Sequence, residues 1–441
     1  MFSNKDLEKL IIPLVIEQLL VMLVGTIDTM MVSHAGEASV SGVALVDMID
    51  YLIITILSAL ATGGAVIVSQ YLGSGDKKKA NISAGQLFNV SAIFSVLIMI
   101  FCLVFHKGIL KLLFGKVEED VMQACITYFV ITAFSFPFLG IYNVGTALFR
   151  SMQKTNVTMY ISALMNVINI TGNAIGIFVF KAGVAGVAIP TFISRTVAAV
   201  LITVLLFRQK YEIHYTHSAL LLKKNYAVRI LKIALPNSIE NGLFALGRVL
   251  VSGIVALFGT TQIAAHGIGN SIAPITVLVV NAINLAMITV VGQCIGAEEY
   301  EQSICYTKRL MKISYISTAI FGVLTCAFLP LVPYLYELSD ETYRYTCILV
   351  ILHNVLAFLL HPTSFNLANS LRASGDVKFT MIVGIGSMLV FRLGSGILFG
   401  ITMNLGVIGV CIAMGMDWLA RSVAFTLRYK SGKWKNIKVI N

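Results

Sequence analysis

The sequence predicts an all-α integral membrane protein, with twelve transmembrane helices in two six-helix lobes related by a pseudo-two-fold axis. Three observations carry this. Of the 441 residues, 57% are hydrophobic and only 12% charged, where a soluble domain keeps roughly a quarter charged. Apolar runs of about 20 residues recur along the whole length, each long enough to cross a bilayer as a helix. The chain also aligns with itself at an offset of 223 residues.

Twelve spans are expected, centred near residues 22, 56, 95, 134, 168, 196, 244, 278, 323, 357, 389 and 416. Lipid cannot satisfy backbone polar groups, which favours helices. The alternating segments of about 10 residues that barrel strands require are absent. With the N-terminus inside, 23 of the 32 Lys and Arg fall in inner segments and five in outer loops. This positive-inside bias puts both termini in the cytoplasm. The formal charge of +11 is thus mostly topology, and no nucleic-acid partner is expected. The first apolar run lacks a small-residue cleavage site and reads as a retained span. The seven cysteines are scattered without a CxxC pair, so neither a disulfide framework nor a zinc site is suggested.

At the offset of 223, Pro13 falls on Pro236, Glu17 on Glu240, Gly36 on Gly259, Gln70 on Gln293 and Gly186 on Gly409. With one residue removed, Arg150 falls on Arg372 and Thr158 on Thr380. Six spans per half is an even number, so both halves enter the membrane from the same side. Such parallel repeats alternate access around a substrate site near the midplane. The longest polar connection, residues 207–229, sets the expected boundary between an N-terminal lobe, 1–215, and a C-terminal lobe, 216–441.

Six acidic residues fall within spans: Glu17, Asp28, Asp47, Asp50, Glu240 and Asp417. A central Asp costs about 2.5–3.5 kcal/mol to insert, so such groups usually face a polar interior and mark ion or substrate paths. Glu17 and Asp28 return to nearly the same face of the first helix, roughly 16 Å apart along its axis. Asp47 and Asp50 share a face of the second. These four are expected to form one acidic path if the two helices turn those faces together; a wet helix end is the other reading of Asp47 and Asp50. Asp417 has Arg421 one turn on, which reads as structural. Glu240 has no evident partner on its own helix, which favours a functional role. In the fifth span, Asn169 and Asn173 lie one turn apart. They either hydrogen-bond between helices or join a carboxylate such as Asp28 around a hard cation such as Na⁺. Pro13 permits helix bending. There is no GxxxxGK[ST], HExxH or GxSxG motif, so no enzyme and no cofactor beyond a coupling ion is expected.

The chain resembles the multidrug and toxic compound extrusion (MATE) transporters of the MOP exporter superfamily. The residues that carry the resemblance are "P…VGTIDTMMVSHAGE", with Pro13 and Asp28 at the family spacing, together with Arg150, "LRASGD" at 371–376 and "GVAGVAIPTFIS". The resemblance implies that Asp28, Asn169, Asn173 and Thr191 form a first-lobe cluster binding Na⁺ or H⁺. It also implies that Glu240 serves cation coupling or substrate binding. Asn173 stands where some relatives carry an aspartate, a charge that Glu17, Asp47 or Asp50 would replace. His361 stands where many carry another aspartate, which leaves Glu240 alone or paired with a proton-labile His361.

The expected function is cation-coupled antiport, by H⁺ or Na⁺, of amphipathic organic cations across the cell membrane by a monomer. The alternative is a lipid-linked oligosaccharide flippase of the same superfamily. Arg195, Arg248 and Arg392, all within spans, keep that alternative open.

Overall fold

The computed structural model describes residues 1–115, 117–216, 221–335 and 338–440. The described residues contain helices and no strands. Eleven helices among them are long and apolar enough to cross a membrane, and a bent pair makes a twelfth. In chain order these are α1 Asn4–Ala35, α2 Glu37–Gly73, α3 Lys77–Phe114, the bent pair α4a Glu119–Phe134 and α4b Phe136–Ser151, α5 Thr155–Val179, and α6 Ala185–Leu206. The second half repeats the order: α7 Lys224–Phe258, α8a Thr260–Thr276 and α8b Leu278–Gly296, α9 Tyr300–Tyr334, α10 Asp340–Ala373, α11 Val377–Thr402 and α12 Gly406–Lys430.

Local chemistry explains where these helices start and break. Asp76 precedes α3 and accepts the Lys79 backbone N–H at 2.9 Å. Ser339 caps α10 by accepting from Thr342 N at 3.3 Å. The 47° bend between α4a and α4b comes just before Pro137, which sits in the first turn of α4b, where its missing N–H costs nothing. α10 instead carries a π-helical turn at Pro362–Asn366. Side chains such as Leu97, Val323 and Ile382 are 58%, 70% and 65% exposed. Apolar exposure on this scale suits acyl chains rather than water.

The chain forms two compact units, Phe2–Ser238 and Ile239–Asn441 together with Met1. They divide within α7 and not in the polar connection. The reason is that the first turns of α7 pack on α2: Asn237 Nδ2 donates to the Ala59 carbonyl at 2.6 Å, and Arg229 Nη1 to Tyr71 Oη at 2.5 Å.

The sequence repeat is also a backbone repeat. Ten of the eleven left-handed residues described occur in pairs: Gly36 and Gly259 (φ 95° and 87°), Gly75 and Glu298 (79° and 61°), Gln153 and Gly375 (60° and 95°), Lys181 and Asn404 (51° and 54°), Gly183 and Gly406 (56° and 57°). Where one half has glycine and the other does not, the non-glycine residue stores strain.

α1 runs unbroken through Pro13. The proline removes the hydrogen bond to the Lys9 carbonyl one turn back. Thr155, fully buried, replaces it: its Oγ1 lies 3.0 Å from Lys9 O and 3.1 Å from Leu10 O.

Thr155→Val should therefore lower stability by about 1–3 kcal/mol, the cost of an orphaned buried carbonyl. Adding Pro13→Ala should recover much of it by restoring an N–H; thermal unfolding in detergent measures both. The same assay should show Glu298→Gly stabilising by about 1 kcal/mol through relief of the left-handed strain.

Candidate functional site

The site in the N-terminal unit is assembled by α1, α5 and α6. Gly176 of α5 and Gly186 of α6 touch backbone to backbone, and a Cβ on either would collide with the other helix. This close approach brings Asn169 and Asn173 of α5 against Thr191 of α6. Asp28 reaches them from α1: Asn173 Nδ2 donates to Asp28 Oδ1 at 2.8 Å. Asn169, Asn173 and Thr191 are buried and Asp28 is half-buried. Thr191 Oγ1 lies 2.9 Å from the Val187 carbonyl. Among the described residues, Asn173 Oδ1 is buried without a donor.

The Asn169 amide bridges Asp28 and Thr191. Its nitrogen donates to Asp28 Oδ1 at 2.9 Å and Oδ2 at 3.3 Å, and its oxygen accepts from Thr191 Oγ1 at 3.0 Å, the orientation that satisfies the amide beside a carboxylate.

Asp47 and Asp50 turn to α4a rather than to α1. Tyr128 Oη donates to Asp47 Oδ1 at 3.2 Å, and Thr132 Oγ1 lies 3.4 Å from Asp50 Oδ1. Arg195 is the cation within electrostatic reach of Asp28, Asp47 and Asp50. Its Nη1 donates to Ser135 Oγ at 2.7 Å, at the α4 bend.

Glu17 does not extend this acidic path. Arg150 Nη2 donates to its Oε1 at 2.5 Å and Thr158 Oγ1 to its Oε2 at 2.9 Å. Nor is Glu240 partnerless, as its own helix suggested. Arg372 Nη2 donates to Glu240 Oε1 at 2.5 Å, and Arg372 Nη1 to Asn369 Oδ1 at 2.7 Å. All four side chains of these two ion pairs are at most 13% exposed. Gly384 leaves the space that the Glu240 carboxylate occupies.

His361 makes no hydrogen bond to Glu240 among the described residues. It stacks on Phe365 at 4.2 Å and meets Trp418 edge-on at 5.2 Å. Asp417 accepts from Arg421 Nε at 2.9 Å and from Ser387 Oγ at 2.7 Å, which agrees with its structural reading. No group of three or more His, Cys, Asp and Glu able to hold a metal is found among the described residues. Any cation at Asp28 would meet one carboxylate and amide or hydroxyl oxygens, a set suited to a hard ion.

The MatE family model matches the chain twice, over residues 13–175 and 236–398. The chain belongs to the MatE family. The two matches begin at Pro13 and Pro236, the offset of the internal repeat. Among curated relatives, the Bacillus subtilis transporter YisQ is 29% identical, covering 96% of this chain and 93% of its own. The "Probable multidrug resistance protein NorM" of Thermotoga maritima is 25% identical over 99% of this chain and 94% of its own. Mouse multidrug and toxin extrusion protein 1 is 23% identical, covering 96% and 74%. A MATE crystal structure in complex with MaL6 superposes with a TM-score of 0.91 at 22% identity, covering 98% of this chain and 97% of that one. A MOP superfamily transporter from Pyrococcus furiosus also gives 0.91, at 21% identity, with coverages of 98% and 97%. This MATE protein is therefore a multi-pass membrane transporter, from a family of drug exporters.

Two features of this MATE transporter escaped the reading of single helices. One is the duplicated Glu–Arg pair, although Glu17 with Glu240 and Arg150 with Arg372 were already aligned in the repeat. The other is the use of Tyr128 and Thr132 to hold the α2 carboxylates, for which no sequence signal exists.

Glu240→Gln strands a buried guanidinium and should destabilise by about 3–5 kcal/mol. Glu240→Gln with Arg372→Met should recover most of that loss. Equilibrium or thermal unfolding of the single and double variants measures the difference.

Proposed function

We propose that this MATE transporter exports amphipathic organic cations in exchange for H⁺ or Na⁺, with Asp28 as the coupling carboxylate. The observation that carries the reading is the cluster of Asp28, Asn169, Asn173 and Thr191. It pairs one carboxylate with amide donors from Asn169 and Asn173, the former backed by the Thr191 hydroxyl. An ionised Asp28 is held by amide N–H donors. A proton on Asp28, or a Na⁺ beside it, competes with those donors, and the undonated Oδ1 of Asn173 supplies an oxygen for Na⁺. Binding either ion neutralises Asp28 and releases the donors it had drawn from α5. That loosens the tie between α1 and α5, and so biases the equilibrium between inward- and outward-open forms. One charge moving down 100 mV supplies about 2.3 kcal/mol for this bias. The acidic interior of the N-terminal unit favours cationic cargo. The Lys and Arg distribution supports cytoplasmic termini, and the transporter acts as a monomer.

Purified protein in liposomes loaded with ethidium provides the test, with pH and Na⁺ gradients imposed separately. One gradient should drive ethidium movement in the wild type. Asp28→Asn should lose it by at least about tenfold, with Asp28→Glu retaining part; tenfold corresponds to about 1.4 kcal/mol. Asn169→Leu should slow gradient-driven exchange while leaving ethidium binding intact. Wild-type export by Asp28→Asn would remove Asp28 from coupling.

A further inference from the structure

The N-terminal unit contains a polar cavity of about 420 Å³, apart from the Asp28 cluster. It lies where α1 and α5 begin and α4b and α6 end. Lys9, Lys154 and Lys210 line it, with Asp6 and Glu212. Its volume falls within the range of about 300–1,000 Å³ usual for small-molecule sites. The connection after α6 folds back to build one wall. Tyr211 meets Phe149 of α4b edge-on, ring centres 5.0 Å apart, and the buried Ile213 N–H donates to Met152 Sδ at 3.2 Å.

Three lysines face two carboxylates here, and both carboxylates are engaged. Asp6 accepts from Ser3 N at 2.9 Å and from Ser3 Oγ at 2.7 Å. Glu212 pairs with Lys77 at 3.1 Å. Lys9 is within electrostatic reach of Asp6, yet none of Lys9, Lys154 and Lys210 makes an ion pair among the described residues. Lys154 also precedes α5, whose first turn has no side-chain cap, so the positive end of that helix adds to the lysines.

The second copy of the repeat has this corner closed. Gln153 and Lys154 fall on Gly375 and Asp376, in the alignment that sets Arg150 on Arg372. Asp376 accepts from Arg428 Nε at 2.6 Å and from Nη2 at 3.2 Å. The Val439 side chain lies where a Cβ on Gly375 would point. An ion pair and an apolar tail thus stand where the first copy has a lysine and an open cavity. Lysines converging on one concavity repel each other, and an anion among them relieves that repulsion. Ammonium groups bind phosphate as point charges, and basic pockets between helices at a membrane edge take phosphorylated head groups.

We propose that this cavity binds a phosphate group carried on a small polar body such as glycerol, held by Lys9, Lys154 and Lys210. An anionic phospholipid head group and a soluble phosphomonoester present the same chemistry. The site lies wholly within the N-terminal unit and does not rest on the export reading, so failure of ethidium export would leave it standing.

Two probes separate the sources, both with delipidated full-length protein in detergent. Native mass spectrometry counts phosphatidylglycerol retained per chain, with diacylglycerol as the phosphate-free comparison. Equilibrium dialysis measures radiolabelled glycerol 3-phosphate, with unlabelled glycerol as the phosphate-free competitor. Saturable binding of one molecule per chain is expected in at least one arm. Binding of phosphatidylglycerol alone assigns the site to a lipid, and binding of glycerol 3-phosphate assigns it to a soluble ligand. Lys154→Gln combined with Lys210→Gln should weaken the bound probe at least about tenfold, a difference of about 1.4 kcal/mol. All these lysines are exposed, so the variant should fold. Lys78→Gln, exposed and outside the cavity, should change binding less than about twofold and controls for general surface charge. Absence of saturable binding of either probe at millimolar concentrations would overturn the proposal. So would equal binding of the phosphate-free analogues, or a double variant no weaker than Lys78→Gln.

Discussion

A charge inside a bilayer has to be answered by the protein, because lipid offers no hydrogen bonds. That constraint organises both units of this transporter. Glu17 is answered by Arg150, Glu240 by Arg372, and Asp417 by Arg421. Each pair joins side chains on different helices except the last, which closes one turn of α12. The carboxylates that escape this pattern are Asp28, Asp47 and Asp50, which receive neutral donors. A carboxylate held by amides and hydroxyls can change its charge at less cost than one locked to a guanidinium, and this separates coupling candidates from structural ones.

The same constraint explains how two copies of one six-helix plan came to differ inside. Their backbones still agree: five pairs of left-handed residues recur at matching positions. Their duplicated Glu–Arg pairs agree too. The interiors do not. Ser162 in one copy corresponds to Gly384 in the other, and only Gly384 leaves room at the glutamate. Thr155, which satisfies the carbonyl opened by Pro13, corresponds to Val377. The N-terminal unit gathers acidic groups around Arg195, whereas the C-terminal unit gathers Arg392 and Arg421 around Asp417. Backbone turns are conserved by steric necessity, but interior charges need only be balanced locally, and that balance admits more than one solution.

Hydropathy, the even count of spans and the internal offset were enough to determine the helical membrane fold and its two-copy organisation, because lipid imposes those patterns on every stretch of about 20 residues; the family followed only from the resemblance carried by the motifs around Asp28, Arg150, Thr191 and Arg372. Asp28, Asn169 and Asn173 were also legible, through residue types that are expensive in a membrane, and Thr191 through the family resemblance. Tertiary structure alone decided how those residues are partnered. Glu240 looked partnerless because the arginine that answers it is 132 residues away, beyond any helical spacing. Glu17 and Asp28 share a helix yet serve different neighbours, since what surrounds a side chain depends on which helices pack there. The contact of Asn169 with Asp28 and the pairing of Arg392 with Asp417 belong to the same category: each is set by distances between helices, which a linear pattern of polar and apolar residues does not encode.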